Sequence, residues 1–192
     1  MDSKAQKLAD WIVCSYAGYD LTPLKLQKLI FYCFGAACAF GVDRELAPVE
    51  FEAWPYGPVV KEVWQQFKGH GRVPISKHDG VVKAVYSDEL DRVLQAALTI
   101  YGAIPVYPLV DQTHREGPWI KVWDAGRGAG GVISKGDISE HFRNKFCCGH
   151  VTPPEALLDT GSLALDGIPV VEHQNIFKLA DSIKNSEKAS FL

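Results

Sequence analysis

The run from Thr22 to Gly41 limits what this chain can fold into more than any other stretch. A threonine side chain can accept a free N–H of a first helical turn, and Pro23 suits the first helical position because its missing N–H has no partner there. Leu26, Leu29, Ile30, Cys33 and Ala37 then recur at i, i+3, i+4, i+7 and i+11. That spacing lays one apolar stripe along a helix, which must be buried against other elements. Gly41 supplies the stop. Lys25, Lys28 and Tyr32 share another face, which reads either as a solvated surface or as two cations beside an aromatic that meet an acidic partner.

Further capped helices flank this one. Ser3 with Gln6 forms a capping box ahead of Leu8, Ile12 and Tyr16, and the stretch 17–20 breaks that helix. Val49 to Trp54 is short and rich in strand formers, and reads as a strand or a loop. Gly57-Pro58 is expected to open a helix with Val60, Val63, Trp64 and Phe67 on its buried face, ended by Gly69 and Gly71. Val81 to Tyr86 is a strand or a linker. Ser87 is expected to cap a helix carrying Leu90, Val93, Leu94, Ala97, Leu98 and Tyr101, closed by Gly102. A short helix runs from Pro105 to about His114, and Ser134 with Asp137 caps another bearing Ile138, Phe142 and Phe146. A last helix is expected at about 175–183. The fold class is therefore mainly α: a compact multi-helix domain with a few short strands and a Gly-rich loop at 126–131. One domain is expected at 1–146, with an appendix at 147–192.

With 47% hydrophobic and 22% charged residues in 192, the chain can bury a core without staples. A net charge of −3 is not the footprint of a nucleic-acid binder, although a local basic patch stays open, and it favours a neutral or basic protein partner. Five cysteines are an odd count in a chain too long for a disulfide scaffold, and Cys33 and Cys38 lie in an apolar helix. These features, with no apolar signal core after Met1 and no apolar run of membrane-spanning length, lead us to expect a cytoplasmic protein without membrane contact.

Three segments stand out, 21–32 around Leu-Thr-Pro, 51–60 around Trp-Pro-Tyr-Gly-Pro, and 113–119 with Thr-His and Pro-Trp; together they resemble the Panacea domain of toxin–antitoxin systems, a family that includes SocA-like and GepA-like proteins. Residues 21–32, Leu-Thr-Pro-Leu-Lys-Leu-Gln-Lys-Leu-Ile-Phe-Tyr, are similar to the family's opening L-T-P-L-K-L-Q-K-L-L-Y-Y, with Phe31 where tyrosine is usual. Residues 51–60, Phe-Glu-Ala-Trp-Pro-Tyr-Gly-Pro-Val-Val, resemble its E-A-W-x-Y-G-P-V hallmark. Residues 113–119, Thr-His-Arg-Glu-Gly-Pro-Trp, resemble its T-H-x-x-x-P-W element. Order and spacing agree over about 5–145; the appendix has no counterpart. The resemblance implies an antitoxin that neutralises a cognate toxin by direct binding, the toxin encoded by an adjacent gene. It leaves open an adaptor that delivers the toxin to an unfoldase–protease, and a prophage accessory protein.

The residues themselves point to binding rather than catalysis. Trp54 to Pro58 reads as a structural corner, with Trp54 in the core and Pro58 starting a helix, or as a rigid platform that presents Tyr56. The two readings are compatible. His114 with Pro118 and Trp119 could suggest a general base, but Glu116 is not fixed beside it and no nucleophile is evident; a histidine bonded to backbone and packed on Trp119 is expected instead. Gly126 to Gly131 matches G-x-G-x-x-G without the strand, long helix and later acid of a dinucleotide site, and reads as a surface loop. His141, Cys147, Cys148 and His150 have ligand chemistry but not zinc spacing. We thus expect no enzyme, cofactor or metal. The partner-binding residues expected are Lys25, Lys28, Tyr32, Tyr56 and Trp119, and Trp54, Gly57, Pro58, His114 and Pro118 are expected to shape the fold around them.

Overall fold

A computed structural model describes residues 3–76, 81–124 and 130–147. Within them the chain is mainly α: seven helices and a small antiparallel sheet. The expected helix at 175–183 and the appendix from residue 148 onward lie outside the described residues.

Helix α1, Lys4–Ser15, begins at the expected capping box. The Gln6 N–H donates to Ser3 Oγ at 3.1 Å, and the Ser3 N–H donates to Gln6 Oε1 at 2.8 Å. Its buried face carries Leu8, Trp11 and Ile12, and the Trp11 indole donates to Asp91 Oδ1 at 2.8 Å.

Helix α2, Pro23–Ala39, is capped by Thr22 and entered through Pro23, as the sequence predicts. Gly41, at φ +72°, ends it in the left-handed conformation that glycine adopts without a Cβ clash. The polar face is where expectation fails. Lys25, Lys28 and Tyr32 are buried, together with Gln27. The amphipathic reading assumes a helix with one wet side, whereas α2 is enclosed on every side, as an all-round buried core helix is. Its long side chains reach backbone and side-chain partners in neighbouring elements rather than water.

Strand β1, Phe51–Trp54, turns Phe51 and Ala53 inward. Gly57-Pro58 does not open a helix. Gly57–Val59 is strand β2, antiparallel to β1, with Glu52 opposite Val59, Ala53 opposite Pro58 and Trp54 opposite Gly57. Pro55-Tyr56 is thus a two-residue hairpin turn, and Gly57 takes φ +95° beside it. Helix α3, Lys61–Phe67, starts three residues beyond Pro58 and buries Val63 and Phe67.

Val81 to Tyr86 is neither helix nor strand and lies outside the sheet. Helix α4, Asp88–Gly102, buries Leu90, Val93, Leu94, Ala97, Leu98 and Tyr101 against α2. Ser87 occupies its N-cap position, but its backbone N–H and hydroxyl turn to Glu45 instead of capping the helix. Asp88, Glu89 and Asp91 in the first turn oppose the positive end of the helix dipole. Helix α5, Val106–Thr113, matches the expected short helix.

Two elements were not expected, and the second takes Gly131 out of the expected surface loop and into a sheet. Helix α6, Gly117–Val122, starts with Pro118 in its first turn, and strand β3, Gly131–Ile133, pairs antiparallel with β1 to give the order β2-β1-β3. Helix α7, Lys135–Cys147, follows; Ser134 Oγ accepts the Asp137 N–H at 3.0 Å, as the sequence predicts. Phe142 of α7 lies against Gly35, where a Cβ would overlap its ring, and packs edge-on against Phe31 and Tyr32. A glycine at 35 is therefore what lets α7 reach the core.

Among the described residues no single helix is long and apolar enough to cross a membrane. Cys14, Cys33 and Cys38 are free thiols. Burial pushes the Cys38 thiol up to about 12 and that of Cys33 higher still, so both behave as apolar packing groups.

Candidate functional site

The β1–β2 hairpin is held from beneath by consecutive residues of α2. The Val60 N–H donates to Gln27 Oε1 at 2.8 Å, while Gln27 Nε2 donates to the Val60 carbonyl at 3.4 Å. Lys28 Nζ donates to the Pro58 carbonyl at 2.8 Å. A side-chain amide and an amine thus satisfy backbone groups at the edge of the sheet, which would be costly if buried alone. A Cβ at Gly57 would overlap the Thr113 hydroxyl and come within 2.9 Å of Lys28 Nζ. Glycine is required there for space as well as for its positive φ.

The third motif clamps the hairpin from the other side. Trp119 Nε1 donates to the Trp54 carbonyl at 3.1 Å. His114 stacks on Trp119 with centroids 4.4 Å apart, and Trp119 stacks on Trp123 at 5.0 Å. Burial, then the adjacent Lys28 charge, lowers the His114 pKa, against a backbone hydrogen bond at Pro55 that raises it. His114 Nε2 is buried without a hydrogen-bond partner among the described residues. Trp119 is buried, so it supports the corner rather than forming the open surface expected of it.

Trp54 departs from its expected core position. It is half-buried; its indole donates to Glu52 Oε2 at 2.8 Å, and its ring lies 5.3 Å from that of Trp64. Tyr56, at the turn, is 62% exposed. Tyr107, Asp111 and Arg115 are exposed at i, i+4 and i+8 from α5 onward, the helix that supplies Thr113 to the hairpin. Of the five expected contact residues, the structure leaves only Tyr56 at the surface.

Below this corner lies a buried cluster that sequence reasoning missed. Glu116, 4% exposed, accepts from the Tyr32 hydroxyl at 3.0 Å and from Lys145 Nζ at 2.6 Å through Oε1, and its Oε2 meets His141 Nε2. Burial alone would raise the Glu116 carboxyl; the His141 hydrogen bond and the Lys145 ammonium outweigh it and hold the carboxyl below its ordinary value. Lys145 Nζ also lies over the Tyr32 ring at 5.5 Å and the Tyr101 ring at 5.9 Å, which stack on each other at 3.8 Å. Burial pushes both tyrosine phenols well up. The partner of Glu116 is therefore His141, twenty-five residues on, and not the nearby His114. No local pattern announces that pairing.

The second buried lysine is also structural. Lys25 Nζ donates to Tyr16 OH at 2.7 Å and to Asp20 Oδ2 at 2.8 Å, which fastens the α1–α2 turn. Among the described residues no three His, Cys, Asp or Glu side chains are grouped to hold a metal. Cys148 and His150 of the discounted zinc set, and residues 126–129 of the Gly-rich loop, lie outside the described residues.

Residues 26–120 match the family model described as Antitoxin SocA-like, Panacea domain. No curated protein and no solved structure matches the chain. The matched span runs from the first turns of α2 to α6 and contains the whole hairpin corner.

Proposed function

We propose, from the premise that residues 26–120 belong to the SocA-like antitoxin Panacea family, that this chain is a cytoplasmic antitoxin that neutralises a cognate toxin by direct binding. The contact surface is centred on Tyr56. The observation that carries this reading is the mounting of that residue: an exposed aromatic on a two-residue turn, held by Gln27, Lys28 and Trp119. A rigid aromatic loses little conformational entropy on binding and supplies much contact area, the property of an interface anchor. We assign Tyr107 and Asp111, exposed on α5, and Arg115 just beyond it to the same surface, because α5 supplies Thr113 against Gly57 of the hairpin. Lys25, Lys28, Tyr32 and Trp119 support it from below rather than touching the toxin. Such recognition needs no catalytic group, cofactor or metal.

The test is co-expression with the product of the adjacent reading frame, scoring growth and recovering both proteins through a tag on this chain. Tyr56→Ala combined with Tyr107→Ala should leave the melting temperature within a few degrees of wild type and abolish both rescue and co-purification. Full rescue by a folded double variant would remove this surface from the reading. Rescue by wild type with loss of the toxin, and no stable complex, would replace blocking by delivery to an unfoldase–protease.

A further inference from the structure

Lys28 is a fully buried lysine with a backbone carbonyl as its hydrogen-bond partner and, among the described residues, no carboxylate partner. The other buried lysine of α2, Lys25, meets Asp20, and Lys145 of α7 meets Glu116. The titratable groups on the surrounding elements do not replace a counter-ion. On α5 and its C-terminus stand Asp111, which is exposed, and His114. The hairpin carries exposed Tyr56, and Glu52, which is engaged with Trp54 and Lys61. Glu62 opens α3 exposed to solvent, and across α2 Glu116 is taken by Tyr32, His141 and Lys145. Enclosure by Gly57, Thr113 and Pro58 leaves an ammonium little solvent to compensate it.

We propose that Lys28 is a proton-controlled latch for the β1–β2 hairpin. As the neutral amine it holds the Pro58 carbonyl inside the domain, and uptake of one proton to form the ammonium favours release of the hairpin toward water.

Burial lowers the Lys28 amine from 10.5 to about 7, which agrees with this geometry. The open hairpin returns the amine toward its ordinary value. Opening therefore becomes up to about tenfold more populated for each pH unit lost between the two values, and levels off below the lower one. The lower of the two values lies close to neutral pH, so a rise of pH above neutral closes the hairpin and alters how Tyr56 is displayed. That consequence for recognition rests on the antitoxin reading; the latch itself does not.

The experiment uses the full chain alone. Titrate the Lys28 13Cε resonance and the Tyr56 and Gly57 amide resonances from pH 5.5 to 10.5. A Lys28 midpoint near 7, followed by the hairpin amides, is expected. In Lys28→Met the amide titration near 7 should vanish, while in His114→Gln it should remain, which separates the amine from the imidazole beside it. A Lys28 midpoint above 10 overturns the proposal, as do hairpin amides that titrate unchanged in folded Lys28→Met. Should Lys28→Met not fold, the wild-type lysine titration still decides.

Discussion

Tyr32 and Glu116, 84 residues apart, share a buried hydrogen bond of 3.0 Å that joins the middle of α2 to the turn before α6. The same carboxylate takes two side chains of α7, His141 and Lys145. One carboxylate thus fixes three separate parts of the chain.

Glu116→Gln should be strongly destabilising, by about 3–5 kcal/mol, because Lys145 stays enclosed without a counter-charge. Tyr32→Phe removes a donor and leaves the carboxylate its other partners, and should cost about 1–2 kcal/mol. Urea unfolding followed by circular dichroism measures both. Equal losses from the two substitutions would contradict the assignment of Glu116 as the hub.

The acid limb of stability should depend on the same residue. Glu116 is held below its ordinary 4.5 in the folded state, so the native chain binds fewer protons than the unfolded one. Its contribution is complete above about 4.5 and is lost as pH falls through the lower folded value. Wild type should therefore lose stability more steeply than Glu116→Gln below pH 4.5. Parallel curves from pH 6 to pH 3 would rule this out.

Gly35→Ala should drive α7 from its seat, since the new methyl overlaps the Phe142 ring. Overpacking of this kind costs about 1–3 kcal/mol. Phe142→Leu alone is a large-to-smaller core change that destabilises. The double variant should be more stable than the sum of the two losses predicts, because the smaller side chain admits the methyl. Simple additivity in denaturant unfolding would show that the two residues do not compete for one space.

Gln27→Met keeps the side-chain length and removes both hydrogen bonds to Val60, itself buried. An orphaned backbone donor and acceptor should cost about 1–3 kcal/mol, seen as a lower urea midpoint with an unchanged slope. Faster amide exchange at Val60, with α1 unaffected, should accompany it. A wild-type exchange rate at Val60 would mean that some other group satisfies it.

Much of the helical frame was legible in the chain because caps and apolar periodicity are local. Ser3 with Gln6, Thr22 with Pro23, and Ser134 with Asp137 each mark a helix start that the structure contains. The three motif segments pointed to the Panacea family, whose model matches 26–120. Gly57-Pro58 misled because a glycine–proline pair suits a helix start as well as the far side of a two-residue hairpin turn, and only pairing with β1 selects the second.

The sequence by itself determined where α1, α2 and α7 begin, which residues form their apolar stripes, and which family the central span resembles, since caps and periodicity follow from backbone geometry within a few turns. Only the tertiary structure decided that α2 has no wet face, that Lys25, Lys28 and Tyr32 point inward, and that Glu116 meets α7. Burial is a property of what packs against a residue from elsewhere in the chain. An exposed and an enclosed lysine have the same one-dimensional signature until the partners that remove the water are in place.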